Sequence, residues 1–168
     1  MANPPMTIRC ACGEVGAEVL GRAIPSASCF CGDCQAAAER LEALPGGNTV
    51  RDADGGTPLV LQNKRRFRLS RGAEKLEAHK LREGSPTSRF VATCCNTPMY
   101  LGFDNGLHWV SIFRHRFQGD APPLEMRINT KAMPGFRRAE DGVPTYASVP
   151  ASFIGRLMLD RLAMVFRR

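Results

Sequence analysis

Seven cysteines carry most of the chemistry that this 168-residue sequence could perform. They fall into three groups: a C-x-C pair ahead of a glycine, a C-x-C-x-x-C run, and an adjacent pair. These are Cys10 and Cys12, then Cys29, Cys31 and Cys34, then Cys94 and Cys95. Thiolates suit zinc because the ion is borderline soft, and four of them close its tetrahedral shell. The spacing therefore predicts thiolate ligands of a metal rather than a disulfide framework.

The seven thiols divide naturally into four plus three. A C-x-C pair joined to a distant pair makes a structural zinc site with no position left for substrate, formed by Cys10, Cys12, Cys94 and Cys95. The three-cysteine run leaves one coordination position open, which is typical of a catalytic zinc and assigns that role to Cys29, Cys31 and Cys34.

Two alternatives to this division stay open. Free cysteine is a common small core residue, so some of the seven thiols could simply be packed in the interior. Neighbouring residues of an extended strand point to opposite faces, so Cys94 and Cys95 reach one ion only if the backbone turns there. Otherwise one of the two is a spare thiol.

The elements that must position these groups are mainly short strands. Period-2 patterns and turn signals predict strands at 14–20, 27–31, 57–62, 67–70, 76–81, 89–93, 99–103 and 109–113, in antiparallel sheets. A short helix is predicted over 36–44, and an amphipathic helix over 151–168. We expect a zinc-binding β-domain over 1–118, with a Pro- and Gly-rich wrap and the C-terminal helix, 119–168, packed on it.

The C-terminal helix has an apolar stripe at helical spacing. Its members are Phe153, Ile154, Leu157, Met158, Leu162, Val165 and Phe166. The stripe predicts core packing or a homodimer contact, with binding to a membrane surface as the alternative.

The chain is basic, with a net charge of +7. The excess lies in two groups of residues, which are Lys64, Arg65, Arg66, Arg68 and Arg71, and then Arg137, Arg138, Arg167 and Arg168. A basic surface can bind nucleic acid or another anionic partner, but no ladder of aromatic residues interleaves these positions, which favours a solvated face. Neither a signal peptide nor an apolar run of membrane-spanning length is evident, so we expect a cytoplasmic protein with reduced thiols.

At the cysteine motifs the chain resembles the family of glutathione-dependent formaldehyde-activating enzymes and centromere protein V. The resemblance covers roughly residues 7–115 and indicates a divergent bacterial branch. It rests on Cys10-Ala-Cys-Gly13, on the run from Cys29 to Cys34, and on the segment from Arg89 to Pro98. In that segment Ala92 stands where the family has its first late cysteine, Cys94 offers a substitute, and Asn96 replaces the usual glycine.

The resemblance implies a β-tent of antiparallel sheets. It implies a structural zinc held by Cys10, Cys12 and Cys95 with a fourth ligand, and a second zinc at Cys29, Cys31 and Cys34 beside which a thiol such as glutathione is handled. The activity it implies is that of a carbon–sulfur lyase similar to S-(hydroxymethyl)glutathione synthase. The alternative is a non-catalytic zinc module that binds a partner or nucleic acid through the basic face, and a weaker third hypothesis is redox or metal buffering by the thiols.

Four further residues are candidates for that chemistry. Asp33 lies between two ligands, where it could accept a hydrogen bond or carry a proton; the alternative is a simple turn residue. Arg65, Arg66 and Arg89 could hold the carboxylates of a glutathione-like substrate, although ordinary solvated arginines are the default. The three histidines are isolated and are expected to be surface or core residues, not ligands: His79, His108 and His115.

Overall fold

Two β-sheets and two α-helices form the fold, in a computed structural model that describes residues 5–46 and 48–166. The helices are α1 (Gly32–Glu42) and α2 (Ala151–Phe166). The strands are β1 (Met6–Arg9), β2 (Gly16–Val19), β3 (Ser26–Cys29), β4 (Thr57–Asn63), β5 (Phe67–Arg71), β6 (Leu76–His79), β7 (Thr87–Ala92), β8 (Thr97–Phe103), β9 (Trp109–Phe113) and β10 (Met126–Ile128). The predicted mainly-β fold with one short and one C-terminal helix is confirmed. Gly47, Arg167 and Arg168 lie outside the described residues.

The strands form a small sheet and a large one. The small sheet has the order β1-β2-β5, and the large sheet has the order β10-β3-β4-β9-β8-β7-β6. Every pair is antiparallel except β10 with β3. The segment after residue 118 thus adds an edge strand to the large sheet, which the weak local pattern of that segment did not predict. The division of the chain at residue 118 stays a prediction.

The large sheet has an apolar layer on each face, because successive side chains of a strand point to opposite sides. On β4, Leu59 and Leu61 belong to a core cluster that also contains residues of both helices, Leu41 and Phe153. Val60, between them, belongs to a second cluster with residues of the small sheet. The helices therefore cover one face of the large sheet, and the small sheet covers the other.

The start of α1 differs from the prediction. The helix begins at Gly32, with Cys31 as its N-cap, so the predicted strand over 27–31 ends at Cys29 and the predicted helix over 36–44 begins four residues early. Cysteine is not one of the residues that favour the N-cap position, so the sequence does not mark this helix start. In agreement, the Cys31 side chain makes no capping hydrogen bond. The shift matters because it places Cys34 in the first turn of a helix.

The C-terminal helix is confirmed, but most of its apolar stripe is not in the core. Phe153 and Leu157 are buried against the large sheet. The other five members of the stripe, Ile154, Met158, Leu162, Val165 and Phe166, are exposed. Core packing therefore accounts for only two of the seven members, and a homodimer contact through the other five stays a prediction. No helix within the described residues is both long and apolar enough to cross a bilayer; cytoplasmic location stays a prediction.

A buried arginine fastens the segment after residue 118 to the sheet. Arg127 on β10 donates from Nε to Asp54 Oδ2 at 2.7 Å and from Nη1 and Nη2 to the two carboxylate oxygens of Asp141 at 3.0 and 2.7 Å. Its side chain is 6% exposed. Since Ile128 pairs with Cys29 across the β10–β3 ladder, this ion-pair network helps to position the first of the three clustered cysteines.

The Asp141 carboxylate makes stability depend on pH in the acid range. The hydrogen bonds from Arg127 lower the pKa of Asp141 from 3.8 to about 2. A carboxylate whose pKa is lower in the folded state than in the unfolded state stabilises the fold fully above the unfolded-state pKa. This stabilisation is lost as the pH falls through the folded-state pKa.

We therefore expect Asp141→Asn to unfold more easily than wild type at neutral pH in urea. Its stability should also decline less between about pH 4 and about pH 2. Asp120→Asn, at an exposed position of the same segment, is the control, and equal behaviour of the two variants would contradict the prediction.

Candidate metal centres

Four of the cysteines meet in one cluster although two of them lie more than eighty residues from the others. The Sγ atoms of Cys10, Cys12, Cys94 and Cys95 all lie within 4.8 Å of one another. Four of the Sγ–Sγ distances are 3.6, 3.9, 3.3 and 3.8 Å. Sulfurs about 2.3 Å from a tetrahedral zinc are about 3.8 Å apart, so the cluster matches the size of a four-thiolate shell.

A tight turn after β1 presents the first pair. The Gly13 amide donates to the Cys10 carbonyl at 3.0 Å, and Gly13 has φ +81°, a conformation that glycine adopts without strain. The Val15 amide then donates to Cys10 Sγ at 3.2 Å. An amide hydrogen bond to sulfur fixes the position of that sulfur, so the turn orients the pair toward the cluster.

A second turn, between β7 and β8, presents the late pair. The Cys95 amide donates to the Ala92 carbonyl at 3.3 Å, and Asn96 adopts φ +53°. Asparagine tolerates this left-handed region better than most residues, which explains how Asn96 can stand at a glycine-type position. Because the backbone turns here, the Sγ atoms of Cys94 and Cys95 both lie in the cluster, which is the condition that the sequence left open.

Two polar residues that sequence reasoning missed support this cluster. The buried Thr97 hydroxyl lies 3.0 Å from Cys95 Sγ, donates to Asn48 Oδ1 and accepts from the Ala11 amide. Asn48 also donates to the Cys95 carbonyl at 2.9 Å. Burial raises the pKa of Cys95, but hydrogen bonds from the Cys12 backbone amide and from the thiols of the cluster outweigh it and bring that pKa to about 6. No local pattern marks Asn48, because only the folded chain brings it to the turn.

The other three cysteines meet where β3 passes into α1. Cys29 ends the strand, Cys31 caps the helix and Cys34 lies in its first turn, with the three Sγ atoms within 4.8 Å of one another. The partial positive charge of a helix N-terminus stabilises thiolates. Hydrogen bonds from the Cys29 and Cys34 thiols hold the pKa of Cys31 well below that of an ordinary thiol. From the far side, the Asn129 side-chain amide contacts Cys29 Sγ at 3.6 Å.

The two clusters lie on opposite faces of the large sheet. Cys29 is part of the core layer shared with the helices, and Cys10 is part of the layer shared with the small sheet. Neither cluster includes a histidine or carboxylate ligand within the described residues. An all-sulfur donor set favours zinc over magnesium or calcium, which prefer oxygen. Two cysteine groups could thus hold metal ions, and they use all seven cysteines.

The other candidate residues are dispersed. The Asp33 carboxylate is partly exposed and pairs with Arg82 at 3.4 Å, while Arg89 is only 5% exposed and donates from Nη2 to the Asp33 carbonyl at 3.4 Å. Arg65 instead donates to the Met164 carbonyl of α2 at 3.2 Å. Arg89 is therefore not the solvated arginine of the default expectation, because β7 turns it into the interior beside the three cysteines. A role of these arginines in holding substrate carboxylates stays a prediction.

The histidines lie apart from both clusters. His79 lies 4.0 Å from Glu77, the buried His108 lies 3.3 Å from Asp160, and His115 lies 2.8 Å from Asp52. Each therefore faces a carboxylate, and none is among the groups that could hold a metal.

Comparison with known proteins gives a family but no activity. A family model described as a family of unknown function (DUF6151) matches residues 4–158. A crystal structure of a Rhodobacter sphaeroides protein is similar with a TM-score of 0.49 and 17% identity, over 70% of this chain and 92% of that chain. No curated protein matches the chain. Any function must therefore be argued from the two cysteine clusters.

Proposed function

The chain belongs to the DUF6151 family, whose function is unknown. We propose that this protein is a two-zinc carbon–sulfur lyase, which adds a thiol to an aldehyde or reverses that addition. One zinc is structural and is held by Cys10, Cys12, Cys94 and Cys95. The other is held by Cys29, Cys31 and Cys34. The observation that carries the proposal is that three thiols converge at the start of a helix with no fourth protein ligand among the described residues.

The difference between four and three ligands supports two different roles. Four thiolates fill the tetrahedral shell of zinc, so the first ion can only hold distant segments together. Three thiolates leave one position for an external group, and a zinc there lowers the pKa of a thiol that binds to it. The motif resemblance to glutathione-dependent formaldehyde-activating enzymes supports the same division.

The residues around the three-cysteine cluster supply orientation and charge. The α1 N-terminus stabilises negative charge on sulfur, and the Asn129 amide contacts Cys29 Sγ, which orients that ligand. In the reaction, the sulfur of the thiol forms a bond to the aldehyde carbon, and the proton that the thiol loses ends on the aldehyde oxygen. Asp33, whose carboxylate is partly exposed in the first turn of α1, is the proposed carrier of that proton.

Turnover is the direct test of this function. We expect protein with two zinc ions per chain to accelerate hemithioacetal formation from glutathione and formaldehyde, measured as loss of free thiol after rapid quenching. Cys31→Ser and chelator-treated protein are the controls and should give only the uncatalysed rate. A fully metallated wild type that does not exceed the uncatalysed rate with glutathione, cysteine or 2-mercaptoethanol would contradict the catalytic proposal.

A non-catalytic binding module is the second candidate, favoured by one observation. Lys64 and Arg65 line a surface cavity of about 500 Å³ together with Arg161 of α2, which concentrates positive charge there. A nucleic acid bound at this surface would dissociate as salt rises, because released counterions drive the binding. Fluorescence anisotropy with DNA and RNA at low salt tests this binding, and no binding at low salt would contradict it.

A homodimer through the exposed face of α2 also stays a prediction, to be tested by sedimentation.

A further inference from the structure

Each cysteine cluster has one buried arginine beside it. Arg89 on β7 is 5% exposed, and Arg116, directly after β9, is 8% exposed. Each guanidinium makes one hydrogen bond to a backbone carbonyl, from Arg89 Nη2 to Asp33 at 3.4 Å and from Arg116 Nη2 to Thr49 at 2.9 Å. Arg89 Nη1 and Arg116 Nε have no hydrogen-bond partner among the described residues.

Neither arginine has a carboxylate counter-ion. Of the described residues, no aspartate or glutamate lies within 4.0 Å of either guanidinium. Burying a cation without a nearby negative charge costs several kcal/mol, and arginine cannot escape that cost by losing its proton. Some other negative charge must therefore stabilise each one.

The negative charge that faces Arg89 is on sulfur. Arg89 lines a cavity of about 10 Å³ together with Cys34 and Thr57, whose buried Oγ1 also has no partner among the described residues. The ionisable groups near Arg89 that can carry negative charge are Cys34, Asp33 and Cys31, and Arg40 is a nearby cation. The Asp33 carboxylate is already paired with Arg82 at the surface, so the thiolates are the main counter-charge.

Arg116 stands in the same relation to the other cluster. Charge on Cys95 and Cys10 raises its pKa, against the effect of burial. Its hydrogen-bond acceptor, Thr49, follows Asn48, which donates to the Cys95 carbonyl. Both buried arginines thus lie near cysteine side chains, with no carboxylate of the described residues within 4.0 Å.

Formal charge shows why a buried arginine matters beside a metal centre that has an open coordination position. Three thiolates and a divalent ion carry a net charge of −1, which one guanidinium cancels. We propose that Arg89 is the buried counter-charge of the three-thiolate centre and makes its open position select an anionic fourth ligand over a neutral one. This inference rests on the metal site of the proposed function but not on its lyase chemistry. Arg89 is a positioning residue here, because it acts through the charge of the centre.

Exogenous ligands of the cobalt-substituted protein test this selectivity without any aldehyde or thiol. We load the full chain with two Co²⁺ and follow the visible absorption bands of the ion during titration with azide, an anion, and with imidazole, a neutral ligand. The four-thiolate centre is closed, so the spectral change reports the three-thiolate centre. We expect Arg89→Gln to weaken azide binding about tenfold or more, with imidazole binding unchanged.

Three further variants separate the effect of the Arg89 charge on azide binding from a structural effect of its side chain. Arg89→Lys keeps the charge and should restore most of the azide affinity. Arg116→Gln removes the matching arginine at the closed centre and should leave azide affinity at the open centre unchanged. Arg82→Gln removes an exposed arginine beside Asp33 and should have little effect, because solvent screens it.

Several outcomes would overturn the proposal. Equal loss of azide and imidazole binding in Arg89→Gln would indicate that Arg89 has a structural role only. Unchanged azide binding would show that Arg89 does not influence which ligand binds. Should Arg89→Gln fail to fold, a wild-type protein that prefers imidazole to azide would still contradict it. Failure to bind a second Co²⁺ would instead contradict the metal site of the proposed function, so the two failures are distinguishable.

Discussion

Cys12→Ser is expected to destabilise the protein by more than about 3 kcal/mol, which is far beyond the effect of an ordinary surface substitution. Cys12 is exposed, so its loss removes almost no core packing. A structural zinc site, however, contributes about 10–16 kcal/mol of binding free energy that becomes folding free energy. That is as large as the whole stability of a typical domain. Urea unfolding in the presence of zinc, with metal content by elemental analysis, measures the loss.

The physical reason is the length of chain that the cluster closes. Cys10 and Cys94 are 84 positions apart and join the end of β1 to the β7–β8 turn. Closing so long a loop is entropically costly, and without the ion only weak thiol contacts would hold the four side chains within 4.8 Å of one another. Chelation of wild type, which removes both ions, should therefore destabilise the protein at least as much as Cys12→Ser does.

Ala11→Ser is the matched control, because it introduces the same side chain at the neighbouring exposed position. Its unfolding midpoint should stay within about 0.5 kcal/mol of wild type. If Cys12→Ser and Ala11→Ser unfold alike, and chelator leaves both unchanged, the four cysteines are not a structural metal site.

Cys31→Ser is expected to lower the zinc content from two ions per chain to one while the fold persists. The three thiols lie within a short stretch that β3 and α1 already hold in place, so the second ion closes no long loop. The variant should keep the far-UV circular dichroism of wild type and most of its stability. It should lose turnover with thiol and aldehyde by several orders of magnitude, since two sulfurs no longer define the open centre.

Asp33→Asn is the control for this second prediction. It changes a residue between two ligands without removing a sulfur, so both zinc ions should remain bound. If Asp33 carries the proton, turnover falls and its pH profile changes, whereas a turn residue would leave both unaltered. A Cys31→Ser protein that retains two zinc ions, or one that unfolds as Cys12→Ser does, would contradict the division into open and structural sites.

Several elements of the fold could be predicted because their signals are local. The helix over Ala151–Phe166 follows from the spacing of apolar residues, and most strands from period-2 patterns between turn residues. The edge strand Met126–Ile128 could not be predicted, because three residues carry no pattern and its parallel pairing with β3 depends on distant chain. The exposure of Met158 and Leu162 was equally unpredictable, because periodicity shows that a stripe exists but not how wide the facing surface is.

The sequence by itself determined that the seven cysteines form a C-x-C pair, a C-x-C-x-x-C run and an adjacent pair typical of metal ligands, because spacing is a local property of the chain. The tertiary structure alone decided that Cys94 and Cys95 share one cluster, since this depends on the turn at Asn96. It also decided that Arg89 and Arg116 are buried and not surface cations. Metal ligands close in sequence can be recognised by type and spacing, whereas charge compensation acts through space and depends on which side chains the sheet turns inward.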